Sequence, residues 1–215
     1  MYFQRYQKTK ELIDSQKNGL IKIITGVRRC GKSFLLNTIF KQHLLLSGKY
    51  DENHIISFAF DREEDLDKLR EFSSNKDVKI KSGKSYLVDS FVFRKFIASK
   101  INDKDDYVLM LDEIQFLDEF VGTLNSYLDK PNIDVYVTGS NSRFLSSDIA
   151  TEFRGRGDEV HLYPLSFSEL LPLYENERQC FKDYMFYGKK RGEKTGKRGV
   201  FFRLDREENE RGLKR

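Results

Sequence analysis

Gly26-Val27-Arg28-Arg29-Cys30-Gly31-Lys32-Ser33 fits G-x-x-x-x-G-K-[ST], and its flanks come in the order that this pattern needs. Upstream, Leu20, Ile21, Ile23 and Ile24 with Thr25 form an apolar, β-branched run that predicts a short buried strand. Downstream, Phe34, Leu35, Ile39, Phe40 and Leu44 recur at helical spacing until Ser47-Gly48 supplies a stop. Strand, glycine loop and helix predict a loop that wraps its backbone N–H groups around phosphate oxygens at the positive end of a helix. Gly26, Val27, Arg28, Arg29, Cys30, Gly31, Lys32, Ser33 and Phe34 are the expected nucleotide contacts. Lys32 is expected to reach the β- and γ-phosphates as a cation, and the Ser33 hydroxyl to coordinate Mg²⁺. A second Gly-Lys-Ser at Gly83–Ser85 lacks the first glycine and a preceding strand, and reads as a loop.

The second element follows roughly 80 residues on, where Tyr107-Val108-Leu109-Met110-Leu111 runs directly into Asp112-Glu113 in the shape of a Walker B strand. A continuous apolar strand belongs in the centre of a parallel sheet with both faces covered, and ligands bind at the carboxyl end of such strands. Asp112 is expected to hold Mg²⁺ through water, and Glu113 to orient and deprotonate the water attacking the γ-phosphate. Residues 133–138 form a further strand leading into Gly139-Ser140-Asn141-Ser142. A polar side chain there can sense the γ-phosphate, and Asn141, or failing it Ser140, is the candidate; ordinary turn chemistry is the alternative. Arg154-Gly155-Arg156-Gly157 precedes a fifth strand around Val160–Leu162 and offers an arginine to stabilise transition-state charge, or else a solvated turn.

Length and composition fit this reading. With 215 residues, 39% hydrophobic and 33% charged, the chain suits one soluble α/β domain plus extra material. No apolar run approaches the roughly 20 residues of a membrane span, and no signal-peptide core follows Met1, so the cytoplasm is the expected location. Cys30 and Cys180 give neither a disulfide framework nor metal-ligand spacing. The formal net charge of +4 is uneven: residues 189–215 hold eleven Lys/Arg against five Asp/Glu, which leaves 1–188 at −2. By composition the body is not a basic nucleic-acid-binding domain.

Helices are expected at 5–16, from Ser90 through Ile101, over 116–128 and from Glu177 to Tyr187, and a capping box at Ser166–Glu169. Ile55, Ile56, Phe58 and Phe60 predict another strand, and the charge run Asp61-Arg62-Glu63-Glu64-Asp65 reads as a solvated loop.

These signatures, with Thr138-Gly139-Ser140-Asn141-Ser142, Gly155-Arg156 and Pro164-Leu165-Ser166-Phe167, resemble a widespread family of prokaryotic AAA-type ATPases that carry a C-terminal domain of unknown function. The resemblance covers 1–188. It implies an α/β P-loop NTPase fold, a three-layer α/β/α sandwich with a parallel sheet in which an additional strand separates the two Walker strands. It maps the arginine role onto Arg156. ATP and Mg²⁺ are the implied ligands and ATP hydrolysis the implied activity, coupled to an unknown partner. A nucleotide-dependent switch or DNA-binding module with little turnover is the alternative, and a small-molecule kinase a further one. A homo-oligomer is implied if the arginine acts in trans. After Gly188 the sequence departs from the family pattern into Lys189-Lys190-Arg191, so 176–188 reads as the start of a connection to a missing domain. Residues 189–215 read as a basic, poorly ordered tail.

Overall fold

A computed structural model of the chain describes residues 5–74, 76–83, 85–102, 104–139, 153 and 155–188. Ser140, Asn141, Arg154 and the 189–215 tail lie outside the described residues. The described strands are β1 (Ile21–Thr25), β2 (Ile55–Ala59), β3 (Lys79–Ser82), β4 (Ser85–Val88), β5 (Tyr107–Asp112), β6 (Ile133–Thr138) and β7 (Gly157–His161). Five of them form one sheet in the order β2-β5-β6-β1-β7, with every pairing parallel. β6 thus separates β1, which feeds the glycine loop, from β5, which ends in Asp112-Glu113, as expected for an α/β P-loop NTPase.

Side chains alternate across each strand, so a strand buried on both faces feeds two cores. On one face Ile21, Ile23, Phe58, Leu109, Leu111, Val135 and Val137 pack with Phe93, Phe96 and Ile97 of α4 (Ser90–Lys100). On the other, Ile24, Val108, Met110 and Val160 pack with Leu35, Leu36, Phe40 and Leu44. Those four lie on the helix that follows the glycine loop. Lys32–Phe34, Leu35–Phe40 and Lys41–Leu46 run on without a break as α2, its middle stretch π-wound. α1 (Tyr6–Asp14) adds Leu12 to the same side. These layers form the compact unit Tyr6–Pro164.

One buried pair interrupts the apolar pattern. Lys22 and Asp134, 0% and 5% exposed, make an ion pair between β1 and β6. The same carboxylate accepts from the Tyr136 hydroxyl at 2.9 Å and the Lys17 backbone N–H at 3.0 Å. Burial, then the Asp134 charge, pushes the Tyr136 phenol far above its ordinary value and keeps it a neutral donor.

Two segments differ from the sequence expectation. The charge run is not a loop throughout: α3 spans Glu63–Leu69, its first turn holding Glu63, Glu64 and Asp65, where carboxylates favour a helix N-terminus. Asp65 also accepts from the Ala59 N–H at 3.0 Å. The expected helix at 116–128 is split into a short 3₁₀ turn, Ile114–Phe116, and α5 (Phe120–Leu128), because Glu119 takes a left-handed conformation at φ 45°. At the second Gly-Lys-Ser the loop reading holds at Gly83, which turns an antiparallel hairpin at φ 58°, and Ser85 is already paired to Ser82.

A second unit holds the described residues Arg5 and 165–188. Within its described part, the capping box is present: Ser166 Oγ accepts from the Glu169 N–H, opening α6 (Phe167–Leu170). α7 (Glu177–Gly188) packs Phe181 and Tyr184 edge-on against Phe167, and Arg5 pairs with Glu169 at 3.4 Å. No helix among the described residues is long and apolar enough to cross a membrane.

Candidate nucleotide-binding site

The site lies at the carboxyl edge of β1, β5 and β6. β1 ends at Thr25 and the chain enters the loop through Gly26 at φ 139°. A Cβ at Gly26 would lie 2.2 Å from the Leu162 carbonyl oxygen, which itself follows β7, so only glycine fits. Gly31, at φ 98°, caps α2 and turns the loop over the helix N-terminus. Val27, Arg28 and Arg29 are exposed, whereas Cys30 is buried with its N–H donating to Val27 O at 3.2 Å. Cys30 is therefore a small residue packed inside the loop. Lys32, 5% exposed, has its ammonium 3.1 Å from Gly26 O and 3.3 Å from Val27 O. The cation thus lies within the cradle made by the backbone.

Sheet order brings the second half of the site onto the first. Ser33 Oγ donates to Asp112 Oδ1 at 3.0 Å. The Thr138 hydroxyl, at the end of β6, also bonds Asp112 Oδ1 and accepts the Glu113 backbone N–H at 3.1 Å. Thr138 therefore fixes both carboxylate-bearing residues, a role the sequence reading did not assign. Its signal was present: a β-branched hydroxyl residue ends the strand between the Walker strands. Glu113 sits at φ 54°, left-handed, and its carboxylate accepts from the Gln115 side-chain amide. A non-glycine residue held there costs of order 1–3 kcal/mol, which the surrounding bonds must offset.

Asp61 is a third carboxylate at this edge. β2 pairs Ala59 with Asp112, and Phe60 N–H donates to Asp112 O at 3.1 Å, so the residue after Phe60 emerges beside Asp112 and Glu113. Loss of solvation, then the charges of Asp112 and Glu113, raises the Asp61 carboxyl above its ordinary value. Because the residue is exposed, solvent screens much of that effect.

Arg156 is not brought to this edge. It precedes β7, and its carbonyl accepts from the N–H of Ile21, the first residue of β1, at 2.9 Å. Parallel strands of five residues separate it from the loop at the other end of β1, roughly 16 Å by strand rise.

The donor set suits a magnesium–nucleotide complex. Among the described residues no three His, Cys, Asp or Glu side chains converge on a metal position. Ser33 and Asp112 supply two oxygens at a helix N-terminus. Mg²⁺ fits such a site because it keeps several waters and takes its remaining ligands from phosphates.

Comparison with known proteins agrees with this geometry. A family described as an AAA domain matches residues 18–171. An uncharacterised protein of Haemophilus influenzae is 31% identical over 186 residues, covering 83% of this chain and 41% of its own length. Uncharacterised protein MJ1544 of Methanocaldococcus jannaschii is 30% identical over 157 residues, 70% of this chain and 28% of its own. The chain therefore spans less than half the length of these relatives. Among solved structures, Hsp104 of S. cerevisiae in its casein complex superposes with a TM-score of 0.51 at 14% identity, over 86% of this chain and 30% of that one; that likeness concerns the fold alone. With strand order, glycine loop and Asp112-Glu113 in place and the family match covering most of the chain, the protein belongs to the AAA domain family, a family of nucleotide-binding P-loop proteins.

Proposed function

We propose that the chain binds MgATP in the Gly26–Ser33 loop and hydrolyses it, with turnover coupled to a partner or a conformational change. The observation that carries this reading is the hydrogen bond from Ser33 to Asp112, with Glu113 as the next residue. It joins loop and Walker B strand at the point where a triphosphate would end. The loop N–H groups and Lys32 would bind the β- and γ-phosphates, and Ser33 and Asp112 would hold Mg²⁺. The metal, when bound, neutralises charge on the transferring phosphoryl group. Glu113 would take the proton of the attacking water while Gln115 restrains its carboxylate. Asn141 is proposed as the γ-phosphate sensor. Arg156, at the far edge of the sheet, would serve the nucleotide of a neighbouring copy rather than its own, which makes assembly part of the proposal. Residues 1–188 are proposed as the ATPase body and 189–215 as an appended tail.

Release of inorganic phosphate from ATP without any acceptor tests hydrolysis and separates it from kinase activity. Glu113→Gln is expected to retain ATP while losing turnover. Turnover by that variant at the parent's rate would remove Glu113 from the role of base.

A further inference from the structure

Between β2 and β5 the chain makes an excursion that the nucleotide site does not use. β3 and β4 form a separate two-stranded sheet, and α4 follows directly. Residues 76–100 hold seven Lys/Arg against two Asp, a balance of +5, so the rest of 1–188 stands at −7. The near-neutral body is thus an acidic domain carrying one basic element.

That element also exposes large apolar side chains, two of them aromatic. Ile80 is 40% exposed, Tyr86 59% and Phe91 57%. Exposed lysines accompany them on both faces of the hairpin: Lys81 shares one face with Tyr86, and Lys95 stands with Phe91 beside Ile80 on the other. Lys81 stands opposite Tyr86 across the hairpin, and the Lys95 ammonium lies 4.4 Å from the Phe91 ring centroid. Ile80, Phe91 and Lys95 line a groove of about 390 Å³ between the hairpin and the first turns of α4, within the size range of ligand sites, about 300–1,000 Å³. Two carboxylates also line it, and both are engaged by backbone: Asp89 accepts from the Phe91 and Val92 N–H groups at 2.8 and 3.3 Å, and Asp77 from the Lys79 N–H at 3.1 Å.

Lysines beside exposed flat rings match a ligand that alternates phosphates with aromatic bases. An acidic peptide would satisfy the lysines but leave Tyr86 and Phe91 without a planar partner. The hairpin is also joined to the nucleotide site. Val88, the last residue of β4, bridges to Leu117, and its carbonyl accepts the Asp118 N–H at 2.9 Å. The Leu117 and Phe116 N–H groups bond back to Ile114 O and Glu113 O at 2.9 and 3.1 Å. Three backbone hydrogen bonds therefore link the hairpin to the residue proposed as general base.

We propose that hairpin β3–β4 and the start of α4 bind single-stranded nucleic acid, with phosphates on Lys81 and Lys95 and bases against Tyr86 and Phe91, and that this contact moves the Glu113 loop. The binding half stands on its own; the coupling half rests on the ATPase reading above.

Fluorescence anisotropy of a labelled oligothymidylate with the full chain tests the binding half. The parent binds it. Tyr86→Ala and Phe91→Ala each weaken binding by about tenfold while keeping the parent's circular dichroism spectrum and melting temperature, which shows that they are folded. Lys81→Gln with Lys95→Gln makes the plot of log affinity against log salt shallower by about 1.4. A parent that ignores the oligonucleotide overturns the proposal, as do variants that bind it like the parent, since the contact would then lie elsewhere. Oligoglutamate binding with the same sensitivity to Tyr86 and Phe91 would assign the surface to an acidic protein. For the coupling half, saturating oligonucleotide changes phosphate release by the parent and not by Tyr86→Ala; release that stays unchanged refutes it. Absence of any release, with binding intact, would strike the ATPase reading and leave the hairpin site standing.

Discussion

Ser33 Oγ donates to Asp112 Oδ1 at 3.0 Å across 79 residues of sequence. Thr138 bonds the same oxygen. Asp112 is thus oriented by two hydroxyls, and outer-shell partners of a metal-bound carboxylate typically matter by about 10–100-fold in affinity or activity. Thr138→Val, nearly the same volume, is expected to raise the Mg²⁺ concentration needed for tight ATP binding by about that factor while leaving metal-free binding unchanged. Titration of Mg²⁺ at fixed labelled ATP measures it; an unchanged midpoint would mean that Thr138 serves only the strand end.

Gln115 is a positioning residue. Its amide nitrogen donates to the Glu113 carboxylate, and its other amide atom, Oε1, is buried without a hydrogen-bond partner among the described residues. An unsatisfied buried acceptor costs about 1–3 kcal/mol, which an alanine would remove, so stability alone does not explain the glutamine. Gln115→Ala is expected to lower kcat by about 10²-fold, as misplacement of a catalytic group does, with KM unchanged. In a Glu113→Gln background the same substitution has no further effect. A drop that persists in that background would show that Gln115 acts apart from Glu113.

The parts legible in the sequence are those fixed by local rules. The run at Tyr107–Leu111 is continuously apolar, and that at Ile133–Thr138 is apolar or β-branched but for Asp134; buried parallel strands leave such runs. What escaped depends on neighbours distant in sequence. Helix α3 buries only Leu66 and Leu69 and hides behind carboxylates. Each strand of hairpin β3–β4 has four residues, too few for alternation to stand out. Asp61 follows its strand by two residues whereas Asp112 ends its own, and only the pairing of β2 with β5 makes the two neighbours. The distance of Arg156 from its own loop follows from β7 running parallel to β1, since a residue before a parallel strand lies at the amino edge.

The Lys22–Asp134 pair predicts a stability effect remote from the site. Removing one member of a buried ion pair leaves the other uncompensated and costs about 3–5 kcal/mol. Lys22→Met is expected to lose that much in urea unfolding. Lys22→Met with Asp134→Leu recovers only part of it, because the Tyr136 hydroxyl and the Lys17 N–H lose their acceptor. A Lys22→Met variant within about 1 kcal/mol of the parent would mean that the pair is not closed in solution.

The most direct measurement of the central claim is equilibrium binding of labelled ATP to the parent and to Lys32→Ala, with and without Mg²⁺. Lys32 is buried in the cradle it shares with the Gly26 and Val27 carbonyls. Its ammonium is the main fixed cation the loop offers a triphosphate. The account predicts magnesium-dependent binding by the parent and loss of at least about tenfold in the variant, with the fold intact by circular dichroism. Equal affinity for ATP in parent and variant would contradict the assignment of the Gly26–Ser33 loop as the nucleotide site.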